Sequence, residues 1–369
     1  MILAIGIYVG YLFFLLVLIM VWNSWRSSNS EKQEIPISVI VPFRNEEKTL
    51  PALINSLKAQ SHTSFEVIFI NDYSEDESIM VLKKLLKGVH FTYHVHSLEV
   101  DFGKKVAIRK GIQVANHELM ITTDADCSAG PNWLKKMSSP FNESSLQMLV
   151  GPVVLVGDSF WQKMQSIEFS SLIGTGGSFL RLKTPIMSNG ANLAYRKNAF
   201  ESVNGFDGIE EIPSGDDELL MNKVNKAFPN SIQFQKSSQA IVISDAIQGW
   251  ASFKQQRLRW ASKWKVGFRL STMFSAIAVF LVQLIQVWLI VQLFTSHTSL
   301  QLIAFLLLLK LLIEFIFLWS VRRSFGQKMH GFAFLVNYLL YPFYAIYFGI
   351  AANFGKFHWK GRRYKTSTK

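Results

Sequence analysis

Two carboxylates, Asp124 and Asp126, stand one residue apart directly after the apolar run 119–121. Such a run reads as the end of a buried strand, and residues i and i+2 of a strand share a side. Both carboxylates can therefore face one ligand. A cation between them relieves their repulsion, and hard oxygen donors suit Mg²⁺ or Mn²⁺, which complete their shells with phosphate oxygens and water. Taken alone, the pair fits a capped loop at a strand end equally well. A second acidic cluster, Ser214-Gly215-Asp216-Asp217-Glu218, precedes a helical pattern. Crowded acids raise one another's pKa, which suits a general base; the alternative is a helix cap with an acidic first turn.

The elements that must position these groups are legible as period and punctuation. Strand-like runs at 37–42, 65–70, 91–96 and 119–123 alternate with helical patterns at 48–60, 77–86 and 103–115. This alternation implies an α/β fold with a mostly parallel sheet wound by right-handed crossovers. Ligands of such sheets sit at the carboxyl ends of the strands, and the polar clusters 44–47, 72–76 and 124–126 all fall there. No G-x-G-x-x-G follows the first strand and no G-x-x-x-x-G-K-[ST] occurs, which argues against dinucleotide and P-loop chemistry. Gly174-Thr175-Gly176-Gly177 lacks the P-loop lysine and reads as a flexible turn.

The chain of 369 residues is 49% hydrophobic with a net charge of +12. Its single cysteine, Cys127, excludes an intramolecular disulfide and reads as a buried filler. Residues 1–21 carry no charge and are long enough to span a bilayer. No basic residue precedes them, and Trp22, Trp25 and Arg26 follow, which predicts an uncleaved anchor whose C-terminal end is cytosolic. Further spans are predicted at 270–294 and 300–321, the latter holding Lys310 and Glu314 one turn apart as a self-neutralising pair. The apolar segment 332–354 is interrupted by Pro342. It either crosses fully or folds back as a re-entrant hairpin that returns the basic tail 356–369 to the cytosol. Between catalytic motifs and spans, residues 247–268 carry Trp250, Phe253, Trp260, Trp264 and Phe268 on roughly one stripe, an amphipathic helix suited to a membrane surface. Because basic residues gather at membrane boundaries, the charge points to lipid and phosphate rather than nucleic acid.

In their order along the chain, SVIVPFRNEE, VIFINDYSED, GKKVAIRKGI, ITTDADC, SNGANLAYRK, PSGDDELL and QQRLRW resemble family 2 of the inverting glycosyltransferases, over residues 35–264. The resemblance implies a GT-A nucleotide-sugar domain. It implies donor-binding roles for Glu46, Asp72, Lys104, Asp124 and Asn189, with Asp72 contacting the base and Lys104 near the diphosphate, while Lys105 is solvated. Asp126, with Asp124, would hold Mg²⁺ or Mn²⁺. The general base would be Asp217, with Asp216 as its neighbour. Gln256 and Trp260 would border the acceptor and Arg259 would reach the diphosphate.

The expected organisation is an anchor at 1–22, a GT-A domain at 35–246, an interfacial helix at 247–269, a transmembrane region at 270–355 and a basic tail at 356–369. The expected activity is transfer of a sugar from a nucleotide-sugar donor, UDP-linked, to a lipid hydroxyl at the cell membrane. The protein would be multi-pass with its catalytic domain in the cytosol. The alternatives are a processive polysaccharide synthase and a non-catalytic nucleotide-sugar-binding scaffold.

Overall fold

The Val- and Ile-rich runs of the first half become strands in the computed structural model. It describes residues 2–25, 33–210, 212, 215–261, 270–295, 300–351, 356–359 and 362–365. The elements begin α1 (Ile2–Asn23), β1 (Ile37–Phe43), α2 (Leu50–Lys58), β2 (Phe65–Asn71), α3 (Ser78–Leu85), β3 (Thr92–Ser97), α4 (Lys104–Val114) and β4 (Leu119–Thr122). They continue with β5 (Cys127–Ala129), α5 (Trp133–Ser138), β6 (Met148–Val150), β7 (Val153–Val156), α6 (Phe160–Arg181), β8 (Leu193–Arg196), α7 (Lys197–Ser202) and α8 (Glu218–Ala227). The last are β9 (Ile232–Phe234), β10 (Val242–Asp245), α9 (Trp250–Ala261), α10 (Leu270–Thr295), α11 (Leu300–Ser324), α12 (Gly331–Ala351), β11 (Lys356–Trp359) and β12 (Arg362–Lys365).

The chain divides into two compact units. One comprises Arg26–Val156 and Phe179–Asp245. Its main sheet has the order β3-β2-β1-β4-β8-β6-β9. Only β8 runs antiparallel to its neighbours; the other pairs are parallel. Every residue of β1, β2 and β4 is buried, as a parallel sheet covered on both faces requires. A smaller sheet, β5-β10-β7, lies alongside in the same unit.

Glu66 is the one charged residue of β2. Its carboxylate, 2% exposed, accepts from Ser38 Oγ at 2.6 Å, Asn116 N at 2.7 Å and Asn116 Nδ2 at 2.7 Å. Burial opposes its charge, but these donors together hold its pKa below the ordinary 4.5. A depressed carboxyl stabilises the fold above its unfolded pKa and loses that contribution as pH falls through the folded one. Glu66→Gln is expected to cost about 1.5–3 kcal/mol, the range for hydrogen bonds to a charged group. It should also flatten the acid limb of a thermal-melt series against pH.

The other unit comprises Met1–Trp25, Gly157–Ser178 and Ala246–Lys369. The expected unbroken domain at 35–246 is thus interrupted. Met164 and Ile167 of α6 pack with Leu318, Ala333 and Phe334 of α11 and α12. The predicted glycine-rich turn does not form: Gly174–Gly177 continue α6 as helix. A methyl group at Gly174 would come within 2.5 Å of Val321 and 2.9 Å of Phe317. Gly174 therefore serves close helix packing, not a bend.

Among the described residues, four helices are long and apolar enough to cross a membrane: Ile2–Asn23, Ile277–Thr295, Leu300–Ser324 and Gly331–Ala351. The last runs continuously through Pro342, so no hairpin forms there. Lys310 and Glu314 pair as expected, Nζ to Oε1 at 2.6 Å, and Tyr11 donates to the same oxygen at 3.0 Å. The helix expected at 247–269 is present as α9, described as far as Ala261. Trp264 and Phe268 of its predicted stripe lie outside the described residues, as does the tail beyond Lys365.

Candidate active site

The three polar clusters of the first half emerge where their strands end: Arg44 follows β1, Asp72 follows β2 and Asp124 follows β4. The first two loops brace each other. Arg44, 7% exposed, donates from Nη1 to the carbonyls of Asp72 (3.0 Å) and Tyr73 (2.6 Å) and pairs through Nη2 with Glu75 at 2.8 Å. Glu46 is buried; its Oε2 accepts from Thr49 Oγ1 at 2.6 Å, and its amide donates to Ser78 Oγ at 2.7 Å. Asp72 is buried too, and Oδ1 accepts from the Gly103 amide at 3.0 Å. Gly103 precedes α4 with φ +108, a backbone region that favours glycine. Asp72 thereby fixes the start of the helix that carries Lys104.

Lys104 stands at the centre of the acidic groups. Its Nζ lies 2.6 Å from Asp124 Oδ1 and 3.3 Å from Asp216 Oδ2. Burial alone would lower its pKa, but Asp124, Asp216 and Asp217 outweigh it and hold the ammonium well above the ordinary lysine value. Lys104 therefore stays charged throughout the physiological range. Lys105 is not solvated as expected. It is 6% exposed and donates to the carbonyls of Ile209 (2.5 Å) and Ile212 (2.7 Å). Adjacent helix positions point about 100° apart, so one lysine faces the acids while the next anchors the segment before them.

The second acidic cluster divides its labour. Asp217 caps α8: Oδ1 accepts from Glu218 N at 2.7 Å and Oδ2 from Gly190 N at 3.0 Å. Asp216 instead turns one oxygen toward Lys104. Gly190 fits between them. A methyl there would lie 2.8 Å from Asp216 Oδ2 and 3.2 Å from Lys104 Nζ, so only glycine lets the 188–192 loop approach. Asn189 folds back on that loop, Oδ1 accepting from Ala191 N at 3.0 Å. Asn192, fully buried, fixes the loop's end. It donates to the Pro152 and Ala240 carbonyls, each at 2.8 Å, and accepts from Trp133 Nε1 at 3.0 Å.

Asp126 is exposed beside half-exposed Asp124. Among the described residues no group of three or more His, Cys, Asp or Glu could hold a metal ion. Two hard carboxylates open to solvent fit a Mg²⁺ or Mn²⁺ ion that takes its remaining ligands from phosphate and water. Cys127 is no rival ligand. Burial, then the charges of Asp126 and Asp124, push its thiol well above the usual range.

Gln256, Arg259 and Trp260 lie on α9 in the other unit. There Arg257, a basic residue off the aromatic stripe by its spacing, is 4% exposed. It pairs with Glu168 at 2.7 Å, donates to Gln256 Oε1 at 3.0 Å and lies 4.5 Å from the ring centroids of both Phe253 and Trp260. Tyr344 also donates to Glu168. Burial raises the Glu168 pKa against the opposing pull of Arg257.

Comparison with known proteins places this arrangement. Residues 38–203 match the model of glycosyl transferase family 2. A dodecaprenyl-phosphate galacturonate synthase of Rhizobium johnstonii is 27% identical over 34% of this chain and 38% of its own. A poly-beta-1,6-N-acetyl-D-glucosamine synthase of Staphylococcus epidermidis is 25% identical over 69% of this chain and 60% of its own. The chain thus spans less than two thirds of the length of either relative. A solved mannosyltransferase of Pyrobaculum calidifontis, in complex with GDP-Man and Mn²⁺, superposes with a TM-score of 0.60 at 14% identity. That likeness covers 91% of this chain and 95% of the other and concerns the fold. Residues 38–203 therefore form a glycosyl transferase family 2 domain on a GT-A-like α/β fold.

Proposed function

We propose that this chain is a membrane-bound inverting glycosyltransferase that moves a sugar from a nucleoside diphosphate donor, UDP-linked, to a lipid acceptor. One observation carries the reading: a single half-buried ammonium, Lys104, bridges Asp124 of the D-x-D to Asp216 of the second acidic cluster. Donor and acceptor chemistry meet across that ammonium. The diphosphate of the donor would compete for Lys104 and release Asp216. Asp216 would then take the proton of the acceptor hydroxyl as it attacks the anomeric carbon, the task of a positioned general base. Asp217, committed to two backbone amides, would hold Asp216 and Gly190 in place. Asp124 and Asp126 would hold Mg²⁺ or Mn²⁺, which would neutralise charge on the departing diphosphate.

A lipid acceptor is supported by four helices suited to a membrane in the same chain and by a relative whose name specifies a dodecaprenyl-phosphate product. The catalytic unit would face the cytosol, where the basic flanks Arg26 and Arg322-Arg323 belong by the positive-inside rule. A second reading, a polysaccharide synthase, is favoured by the Staphylococcus relative, which matches over 69% of this chain.

The test supplies the detergent-solubilised chain with labelled nucleotide sugars, a membrane lipid extract and Mn²⁺. The lipid phase is then resolved by chromatography. One sugar per lipid is expected. A ladder of lengths would establish the polymer reading instead, and label confined to the water phase as intact donor would contradict both.

A further inference from the structure

Tyr73 holds a conformation that its type disfavours. Its φ is +57, in the left-handed region where a bulky side chain is a strained outlier. The surrounding loop imposes this geometry. Ser74 N donates to Asn71 Oδ1 at 3.0 Å, and Arg44 holds the carbonyls on both sides of the Tyr73 amide plane, Asp72 O and Tyr73 O. Asn45, itself at φ +54, donates its amide to Ser74 Oγ at 3.1 Å and accepts from Glu75 N at 2.8 Å. Glycine would meet the same backbone demand without strain.

No side-chain hydrogen bond or ring contact of Tyr73 among the described residues offsets this strain. It is 38% exposed at the carboxyl end of β2. Among the described residues its hydroxyl has no hydrogen-bond partner and its ring no aromatic neighbour. It directly follows Asp72, whose carboxylate is tied to the start of the Lys104 helix. Strain at an exposed, otherwise unused aromatic beside a ligand loop is the pattern of a residue kept for contact.

We propose that Tyr73 is a stacking residue of the donor site, its ring lying on the face of the nucleobase while Asp72 addresses the edge of the base and Lys104 the diphosphate. This rests on the nucleotide-sugar reading above and adds to it a side chain that sets affinity for the base. Stacking of a base on an aromatic ring is sequence-tolerant, because every base has a π-face. Tyr73 would therefore strengthen binding of UDP and GDP alike, leaving discrimination between them to polar groups.

The test measures binding of UDP, GDP and inorganic pyrophosphate, each with Mn²⁺, to the full chain in detergent by titration calorimetry, alongside its melting temperature. Tyr73→Gly is expected to weaken UDP or GDP roughly 5- to 150-fold, the range for loss of one base stack. Pyrophosphate binding should be unchanged and the melting temperature equal or higher. Tyr73→Phe should keep nucleotide affinity within about twofold of wild type, since the ring suffices. Wild-type nucleotide affinity in the glycine variant would overturn the inference while leaving the donor site intact. So would equal losses for pyrophosphate, a lower melting temperature with Tyr73→Gly, or loss with Tyr73→Phe. Wild-type protein that binds neither nucleotide would overturn the nucleotide-sugar reading itself.

Discussion

Asp126→Ala is expected to lower sugar transfer by roughly a thousandfold. A metal ion at a developing phosphate charge contributes several kcal/mol, and each 1.36 kcal/mol is a factor of ten. Asp126 is exposed, and the bond it accepts from Cys127 Sγ at 3.5 Å is a weak thiol contact, so the melting temperature should move little. Asp124→Ala should be more complex. It removes a carboxylate 2.6 Å from Lys104, which leaves Asp216 as the nearest carboxylate to a half-buried ammonium. Transfer should fall at least as far, with lower stability as well. Assaying both variants across a Mn²⁺ series checks this. Rates near wild type in Asp126→Ala would mean that the D-x-D only caps its strand.

Asp216→Asn is expected to lower turnover by roughly 10²–10⁴-fold, the usual worth of a general base, at an unchanged melting temperature. Asp217→Asn should act differently. An amide nitrogen would face either the Glu218 or the Gly190 amide, both of which need an acceptor. A damaged cap costs about 0.5–2 kcal/mol, so this variant should melt earlier and lose activity in proportion to the displaced loop. Paired kinetics and melting curves separate the two. If Asp217→Asn abolished turnover without loss of stability while Asp216→Asn remained active, the roles would be reversed.

The strands that present the site were legible because a parallel sheet buried on both faces leaves near-continuous apolar runs, as in 39–41 and 67–70. The polar residues just beyond them then marked the ligand edge. What was not legible depends on angles that one-dimensional spacing does not carry. Lys104 and Lys105 are the same residue type, and only the phase of α4 decides which meets the acids. Asp216 and Asp217 differ by one position, and the turn at Gly215, φ +81, decides which becomes the cap. The glycines at 174–177 carry the same signal whether they bend a chain or admit a neighbouring helix. The neighbours of Gly174, Phe317 and Val321, are remote in sequence. Tyr73 occupies a left-handed turn position with nothing in its side chain to announce it.

The central claim is that one site couples departure of a nucleoside diphosphate to glycosylation of a lipid. The most direct measurement follows both products in one vessel: nucleoside diphosphate released and labelled sugar entering the lipid phase, with Mn²⁺ and then with EDTA. The account predicts release and lipid label in a one-to-one ratio, both abolished by EDTA and both restored by added Mn²⁺. Donor that binds but is never cleaved, with every lipid fraction and metal present, would contradict it and leave a nucleotide-sugar-binding membrane protein without catalysis.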